Sequence, residues 1–237
     1  GCGYVKAPSS LDVSAGEKPA YQFIIDSVRA EPGEITLVAV GPLTNHALAL
    51  EADPGIVDLV KEVVIMGGAF GENDHRGNVT PFAEANIHDD PHAADKVFTA
   101  SWPVTVIGLD VTEESFFTAQ YLDELRDDAG EVGQFIWDVS RYYLKFYSEK
   151  VGMEGCHVHD PSAIAYAIQP SLFECRSGAI RVVTDGPAEG MTIQKSDQRS
   201  YMNDEWSSFP AQKVGIKVND EALLSLYRET LVRYSQS

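Results

Sequence analysis

Short apolar runs alternate along this chain with stretches whose apolar side chains recur every three or four residues. Helical spacing predicts helices over residues 18–29, 44–52, 55–61 and 91–100, the last opened by Asp90 and Pro91 as capping residue and first helical residue. The runs at 35–40, 63–66 and 104–109 are continuous and rich in β-branched residues, as buried parallel strands are. The first half of the chain therefore predicts alternating helices and strands.

The second half continues the alternation with longer helices and weaker strands. Helices are expected over 118–128, 131–151, 163–168 and 221–234, and more exposed strands over 180–183, 191–194 and 214–218. The helix at 131–151 carries a stripe of apolar and aromatic residues on one face, which predicts a buried face: Val132, Phe135, Ile136, Val139, Tyr143 and Phe146.

Alternating strands and helices predict the α/β class, with an open, mostly parallel sheet and helices on both faces. A chain of 237 residues is long enough to bury one full core, so a single domain over residues 1–237 is expected. In such folds ligands bind beyond the carboxyl ends of the strands. Polar residues that directly follow a predicted strand are therefore the first candidates for a functional site.

Charge and hydropathy exclude several classes of partner. The formal net charge is −18, from 36 acidic and 18 basic residues, and this charge repels a nucleic-acid backbone. No apolar run approaches the roughly 20 residues that cross a bilayer. We therefore expect neither a nucleic-acid polymer nor a membrane as a partner.

The cysteines indicate a reducing compartment. Cys2, Cys156 and Cys175 are odd in number and lack the CxxC spacing of a zinc ribbon or redox motif. The first ten residues show no signal peptide. Reduced thiols in a cytoplasmic protein are the simplest interpretation.

Three polar clusters follow predicted strands: Gly41–Asn45, Met66–Gly68 and Asp110–Thr112. Glycine allows a backbone to approach a ligand closely, but each of these clusters is equally consistent with an ordinary strand-to-helix turn. Their position at the strand ends makes them candidates, while their residue types alone do not.

The segment GNVTPFAEAN, residues 77–86, brings two amides and a carboxylate into one loop, on Asn78, Glu84 and Asn86. Each hydroxyl of a polyol such as ribose both donates and accepts a hydrogen bond, and amides with a carboxylate match that requirement. The alternative interpretation is a loop whose polar groups satisfy one another.

His159, Asp160 and Pro161 stand at a predicted helix start. Histidine can release a proton near neutral pH, and a carboxylate can bind a hard cation. Aspartate before proline is also a common helix cap, so this pair has a purely structural alternative. The histidines at positions 46, 75, 88 and 92 lack metal-ligand spacing and are interpreted as surface residues, and zinc is not indicated.

Five segments occur in an order that resembles the inosine-uridine-preferring nucleoside hydrolase family: TLVAVGPLTNHALAL, VVIMGGAFG, GNVTPFAEANIHDDPHAA, VTVIGLDVT and HDPSAIAYAIQPSLF. The resemblance runs from about Lys18 to Phe173. It implies an open α/β fold with one Ca²⁺ at the strand ends. It also implies hydrolysis of the N-glycosidic bond of ribonucleosides to ribose and free base, in nucleoside salvage.

The resemblance assigns roles to residues at matching motif positions. It implies that Asp160 binds calcium and meets the ribose 3′-hydroxyl, and that the main-chain carbonyl of Val40 is a second calcium ligand. Met66 matches a residue that borders the sugar, and His159 matches the histidine that protonates the leaving base. The family usually has an aromatic residue where this chain has Ala85, which leaves the nucleobase preference open.

The loop residues match a ribose-binding clamp in the family. By resemblance, Glu84 lies toward the 5′-hydroxyl, Asn86 lies toward the 2′- and 3′-hydroxyls, and Asn78 completes the set. Family members often form homo-oligomers, so a homo-oligomer is expected here.

One family feature is not found in the sequence. The aspartate cluster that supplies most calcium ligands and the general base is absent, and Ca²⁺ normally takes 6–8 oxygens. We therefore expect this chain alone to be inactive unless those aspartates are supplied. Three explanations stay open: the sequence is truncated, the aspartates lie on a separate or cleaved N-terminal fragment, or the chain is a degenerate relative. A ribose- or nucleoside-binding protein without turnover and a structural subunit are the alternative functions.

Overall fold

The computed structural model describes Val5, Gly16 and residues 18–236. Cys2 and most of the first ten residues lie outside this part, so the predictions made for them remain predictions. The described chain divides into two compact units, a larger one from Gly16–Thr112 and His159–Val218 and a smaller one from 113–158 and the described residues from Asn219 onward. The expectation of a single domain stays a prediction.

Strands and helices alternate through the described residues, as predicted. The strands are β1 (Thr36–Ala39), β2 (Glu62–Met66), β3 (Val104–Ile107), β4 (Phe116–Thr118), β5 (Gly155–His157), β6 (Phe173–Val182), β7 (Thr192–Gln194) and β8 (Ala211–Val218). The α-helices are α1 (Ala20–Ala30), α2 (Thr44–Ala52), α3 (Ala85–His88), α4 (Pro91–Thr99), α5 (Leu109–Thr112), α6 (Ala119–Asp128), α7 (Gly130–Lys150), α8 (His159–Ile168) and α9 (Asp220–Ser235).

The larger unit contains a six-stranded sheet in the order β1-β2-β3-β8-β6-β7. The first four of these strands pair in parallel, and β6 and β7 pair antiparallel. The carboxyl ends of β1, β2, β3 and β8 therefore share one edge of the sheet. The predicted α/β class with a mostly parallel sheet is confirmed.

Helices cover both faces of this sheet. Val63 and Ile65 point to one face, where they join a buried core with side chains of α1, α2 and α4. On the other face α8 packs against β1, β2 and β3. There the Thr105 hydroxyl lies 2.7 Å from Glu62 Oε1 and 3.2 Å from the Tyr166 hydroxyl. The Thr105 hydroxyl thus links the sheet to α8 by polar contacts.

The smaller unit pairs β4 with β5 in antiparallel fashion and packs α6, α7 and α9 together. A side chain at Gly133 would collide with the Leu125 carbonyl, so α7 approaches α6 closely at this glycine. Gly133 is the buried residue of α7. Among the helices of the described chain, none combines the length and apolar character needed to cross a bilayer.

Two predictions from periodicity were wrong. The aromatic stripe of α7 was expected in the core, but Phe135, Tyr143 and Phe146 are exposed and Val132, Ile136 and Val139 are half-buried. Strand β8 was expected to be exposed, yet it lies between β3 and β6 inside the sheet. Periodicity shows that apolar residues share a face, but it does not show what covers that face.

His46 on α2 is another correction, because its Nδ1 is buried and has no hydrogen-bond partner within the described structure. Burial lowers the pKa of His46 from 6.5 to about 4. As pH falls from 6.5 toward 4, the unfolded chain binds the proton before the folded chain does. The stabilisation present above pH 6.5 is therefore lost over this window.

We expect the wild-type free energy of unfolding to fall by about 3 kcal/mol between pH 6.5 and 4 through His46 alone. His46→Leu should remove this part of the slope and raise stability at acid pH. Urea unfolding at a series of pH values measures both effects. His92→Leu, which removes an exposed imidazole from α4, is the matched control. Equal slopes for wild type and His46→Leu would contradict the prediction.

Candidate functional site

The carboxyl ends of β1 and β2 bring two predicted site residues side by side. Ala39 pairs with Ile65 across the parallel ladder, so Val40 and Met66 follow at neighbouring positions of the same edge. Val40 is 43% exposed, whereas Met66 is 3% exposed. The edge thus offers an accessible main chain at Val40 beside a buried methionine.

Glu84 is the polar centre of this edge. It is only 2% exposed, and it caps α3 by accepting hydrogen bonds from the main-chain N–H groups of Asn86 at 2.9 Å and Ile87 at 3.2 Å. A third N–H, that of Gly68 beyond β2, donates to Glu84 Oε2 at 2.8 Å. Glu84 therefore joins the loop after β2 to the start of α3.

Opposing effects set the protonation of Glu84. Burial raises the pKa of its carboxyl, and the three N–H donors oppose that shift by stabilising the charged form. The negative charge of Asp160 raises the Glu84 pKa further. Asp160, on α8, is therefore close enough to Glu84 for the two carboxylates to repel each other.

Gly68 needs to be glycine for the loop to adopt this conformation. Its φ is +77°, in the left-handed region, and an added Cβ would lie 3.0 Å from Thr192 Cγ2. The Thr192 hydroxyl accepts from Ala69 N at 3.0 Å and donates to the Ala69 carbonyl at 2.9 Å. The loop after β2 is thus held between Glu84 on one side and Thr192 of β7 on the other.

The two asparagines hold the same segment in different ways. The Asn86 side-chain amide donates to the Met66 carbonyl at 3.0 Å, and Asn78 Oδ1 accepts from Ala85 N at 3.0 Å. Asn86 is half-buried and Asn78 is exposed. Some hydrogen-bonding groups of this loop thus bind other groups of the protein, as expected for a loop whose polar groups satisfy one another. The other hydrogen-bonding groups are available to a ligand.

Asp110, in the short helix α5 that follows β3, fixes the next part of the same edge. It is fully buried, and its carboxylate accepts hydrogen bonds from Phe70 N at 3.0 Å and Glu72 N at 2.8 Å. Burial raises the pKa of the Asp110 carboxyl, and these two N–H bonds oppose the rise. The sequence marked Asp110 only by its position after a strand, whereas the structure shows that it holds the loop 70–72.

His159 and Asp160 form the first turn of α8, at the helix start that the sequence predicted, and the helix ends at Ile168. His159 Nδ1 lies 2.8 Å from the hydroxyl of Thr112, at the end of α5. Asp160 is exposed, but the surrounding protein displaces enough water to raise the pKa of its carboxyl. Because α8 packs on β1 and β2, both residues lie on the larger unit together with Glu84.

The described residues supply only part of a calcium coordination shell. No group of three or more His, Cys, Asp and Glu side chains that could hold a metal occurs in the described residues. Asp160 and the Val40 carbonyl supply too few oxygens for an ion that takes 6–8. Neither a metal site nor the predicted substrate roles follow from this geometry alone.

Comparison with known proteins identifies the family. The sequence model described as inosine-uridine preferring nucleoside hydrolase matches residues 1–225. A probable uridine nucleosidase 2 of Oryza sativa subsp. japonica is 35% identical over 232 residues, which cover 98% of this chain and 68% of the relative. The inosine-uridine preferring nucleoside hydrolase of Crithidia fasciculata is 40% identical over 195 residues, which cover 81% of this chain and 61% of the relative.

Solved structures agree. A plant nucleoside hydrolase superposes with a TM-score of 0.90 at 35% identity, over 95% of this chain and 70% of that one. A purine-preferring ribonucleoside hydrolase from Gardnerella vaginalis has a TM-score of 0.86 at 34% identity, over 99% of this chain and 71% of that one. The chain spans about two thirds of the length of these relatives. It belongs to the inosine-uridine preferring nucleoside hydrolase family, whose enzymes hydrolyse ribonucleosides.

Proposed function

We propose that this chain carries the ribose-binding and leaving-group residues of a nucleoside N-ribohydrolase, which hydrolyses the N-glycosidic bond to yield ribose and free base. The observation that carries the proposal is that Glu84 and Asn86 are hydrogen-bonded to the chain at the end of β2, while α8, whose first turn contains His159 and Asp160, packs on β1 and β2. The carboxyl edge of the sheet is where ligands bind in open α/β folds.

The ribose hydroxyls are assigned to three side chains. The Asn86 amide nitrogen is engaged by the Met66 carbonyl, so its Oδ1 serves as the acceptor toward the 2′- and 3′-hydroxyls. Asp160 accepts from the 3′-hydroxyl, and Glu84 lies toward the 5′-hydroxyl. Because main-chain N–H groups hold the Glu84 carboxylate in place, it meets the sugar already oriented.

Two further residues complete the substrate site in this proposal. Met66 borders the sugar with its buried side chain, and Asn78 contributes an exposed amide at the rim. Ala85 stands where the family usually has an aromatic residue, and its methyl group offers a nucleobase little contact area. No residue is therefore assigned to the selection of the base.

His159 supplies the proton to the leaving base as the bond to C1′ breaks and positive charge develops on the ribosyl group. A protonated base departs as a neutral molecule, which lowers the barrier to cleavage. A general base for the attacking water is not assigned to any described residue, so the described part of the chain provides binding and leaving-group assistance.

Calcium dependence is part of the proposal, with Asp160 and the Val40 carbonyl as the ligands that this chain would contribute. Because these two donors fall short of a full coordination shell, no catalytic step is assigned to the ion. Cytoplasmic location, a role in nucleoside salvage, a homo-oligomeric assembly and a separate N-terminal fragment remain proposals as well.

A second candidate function binds the sugar without cleaving the N-glycosidic bond. In this alternative, Asn78, Glu84, Asn86 and Asp160 bind ribose or a nucleoside, and the chain does not turn it over. A structural subunit that completes a partner's site is a variant of this alternative.

Incubation of the purified protein with inosine, uridine and other nucleosides, followed by chromatography of the products, tests the proposed function. Ribose and free base are expected once the aspartates that the family resemblance calls for are supplied, and EDTA should then suppress their release until Ca²⁺ is restored. Calorimetry with ribose separates the alternatives. Heat of ribose binding without any base release supports the binding protein. The absence of both binding and base release would contradict both functions.

A further inference from the structure

A buried threonine contacts the proposed proton donor. Thr112 ends α5, is fully buried, and its Oγ1 lies 2.8 Å from His159 Nδ1. The two residues are 47 positions apart in the sequence, so this contact is a product of the tertiary fold. Neither the sequence motifs nor the family resemblance assigned a role to Thr112.

The main chain around Thr112 is held rigidly. The Thr112 N–H donates to the Gly108 carbonyl at 3.1 Å. Asp110, in the same turn, accepts from two N–H groups of the loop 70–72, and its carbonyl accepts from the Asn73 side-chain amide at 2.7 Å. The Thr112 hydroxyl is therefore presented from a fixed position on the sheet edge.

A second close approach restricts the same turn. An added Cβ at Gly108 would lie 2.8 Å from the Gly68 carbonyl and 2.9 Å from Asp110 Oδ2. The turn that carries Thr112 thus packs directly against the loop that Glu84 holds. Movement of the main chain that carries Thr112 would require movement of both neighbouring loops.

A hydroxyl can engage either tautomer of an imidazole, because it both donates and accepts hydrogen bonds, whereas a carbonyl only accepts. With Nδ1 engaged by Thr112, the ring orientation about the Cβ–Cγ bond is defined. Nε2 then lies on the side of the ring opposite the threonine contact.

We propose that Thr112 is a positioning residue that holds the His159 ring so that Nε2, and not Nδ1, is the nitrogen that meets the leaving base. The positioning itself is independent of catalysis, and the part concerning the leaving base rests on the proposed function. Thr112 is not assigned any contact with the substrate.

Nitrogen NMR of the histidine side chains tests the positioning without any turnover. Spectra of uniformly ¹⁵N-labelled wild type and His159→Gln are compared at one fixed pH. The resonances that are missing in His159→Gln are those of His159. Thr112→Val, which keeps the shape and removes the hydroxyl, should shift the His159 Nδ1 resonance. Thr112→Ser keeps the hydroxyl and should leave that resonance close to wild type.

Thr105→Val is the matched control, because it removes another buried threonine hydroxyl that contacts Glu62 and Tyr166 instead of His159. Circular dichroism and thermal unfolding confirm that each variant is folded before its spectrum is compared. An unchanged His159 spectrum in folded Thr112→Val overturns the proposal. If Thr112→Val does not fold, Thr112→Ala takes its place, and an unchanged His159 spectrum in folded Thr112→Ala overturns the proposal.

Kinetics test the consequence for the leaving base. Thr112→Val should lower kcat for inosine or uridine by about 100-fold with little change in KM, because misplacing a reacting group costs rate and not binding. With 4-nitrophenyl riboside, whose leaving group departs as a stable anion, the same variant should lose little turnover. The double variant with His159→Gln should lose no more than His159→Gln alone, since both act through one group.

Failure of the two proposals is distinguishable. Absence of turnover in wild type refutes the proposed function, while the NMR comparison still decides whether Thr112 orients His159. If Thr112→Val lowers kcat equally for the nucleoside and for 4-nitrophenyl riboside, the assignment of Nε2 to the leaving base is overturned.

Discussion

Replacing Asp160 by asparagine is expected to reduce nucleoside turnover by about 10²- to 10³-fold, the loss typical when one preorganised polar group is removed from a reaction centre. Asp160 lies on the first turn of α8, close enough to Glu84 to affect its pKa. Asparagine keeps the shape but removes the negative charge and one acceptor for the ribose 3′-hydroxyl. Steady-state measurement of base release gives the fold-change.

Stability should respond in the opposite direction. The surrounding protein raises the Asp160 pKa, which means that the folded state disfavours its charged form. The neutral Asp160→Asn variant should therefore unfold at a temperature equal to or above that of wild type. Groups that a site needs for function are often unfavourable for folding.

Asp185→Asn is the control, because Asp185 is an exposed aspartate in the loop between β6 and β7 of the same unit. It should retain wild-type turnover. Equal turnover by Asp160→Asn and Asp185→Asn would remove Asp160 from the proposed substrate site.

Glu84→Gln should lower the free energy of unfolding by about 2 kcal/mol, the scale of a lost hydrogen bond to a buried charged group. The Glu84 carboxylate accepts from the main-chain N–H groups of Gly68, Asn86 and Ile87. A glutamine side chain has one oxygen, so its NH₂ group must face at least one of these donors. Urea unfolding at neutral pH measures the change.

Glu51→Gln is the matched control for the Glu84 prediction. Glu51 pairs with Lys96 on the surface, where both side chains are about half exposed. Such pairs contribute at most about 1 kcal/mol. If the two variants lose equal stability, the three N–H bonds of Glu84 contribute no more than a surface ion pair does. Ribose affinity, measured on the folded fraction, should fall for Glu84→Gln only.

Sequence patterns predicted most of the elements because those elements are decided locally. Asp90 before Pro91 predicted the start of α4, and its side chain accepts from Ala93 N at 3.0 Å. Asp53 likewise caps the turn that follows α2, by accepting from Gly55 N at 3.3 Å. A cap needs only residues two or three positions apart, so its signal is complete within a short stretch of sequence.

The errors lie where a distant partner decides the outcome. Phe146 satisfies the helical spacing of a buried stripe and yet is exposed, whereas His46 was interpreted as a surface residue and its Nδ1 is buried. The position of β8 between β3 and β6 depends on strand pairing across the chain. None of these properties is encoded in the spacing of neighbouring residues.

The sequence by itself determined the α/β class, the element order and the chemical types present at the strand ends, because periodicity, caps and β-branched runs act over a few residues. Tertiary structure alone decided that Glu84 meets Gly68 and that Thr112 meets His159. These contacts join segments 16 and 47 residues apart through the packing of loops at one sheet edge. Their geometry depends on burial and on main-chain N–H groups, which are common to nearly every residue type and leave no mark in the sequence.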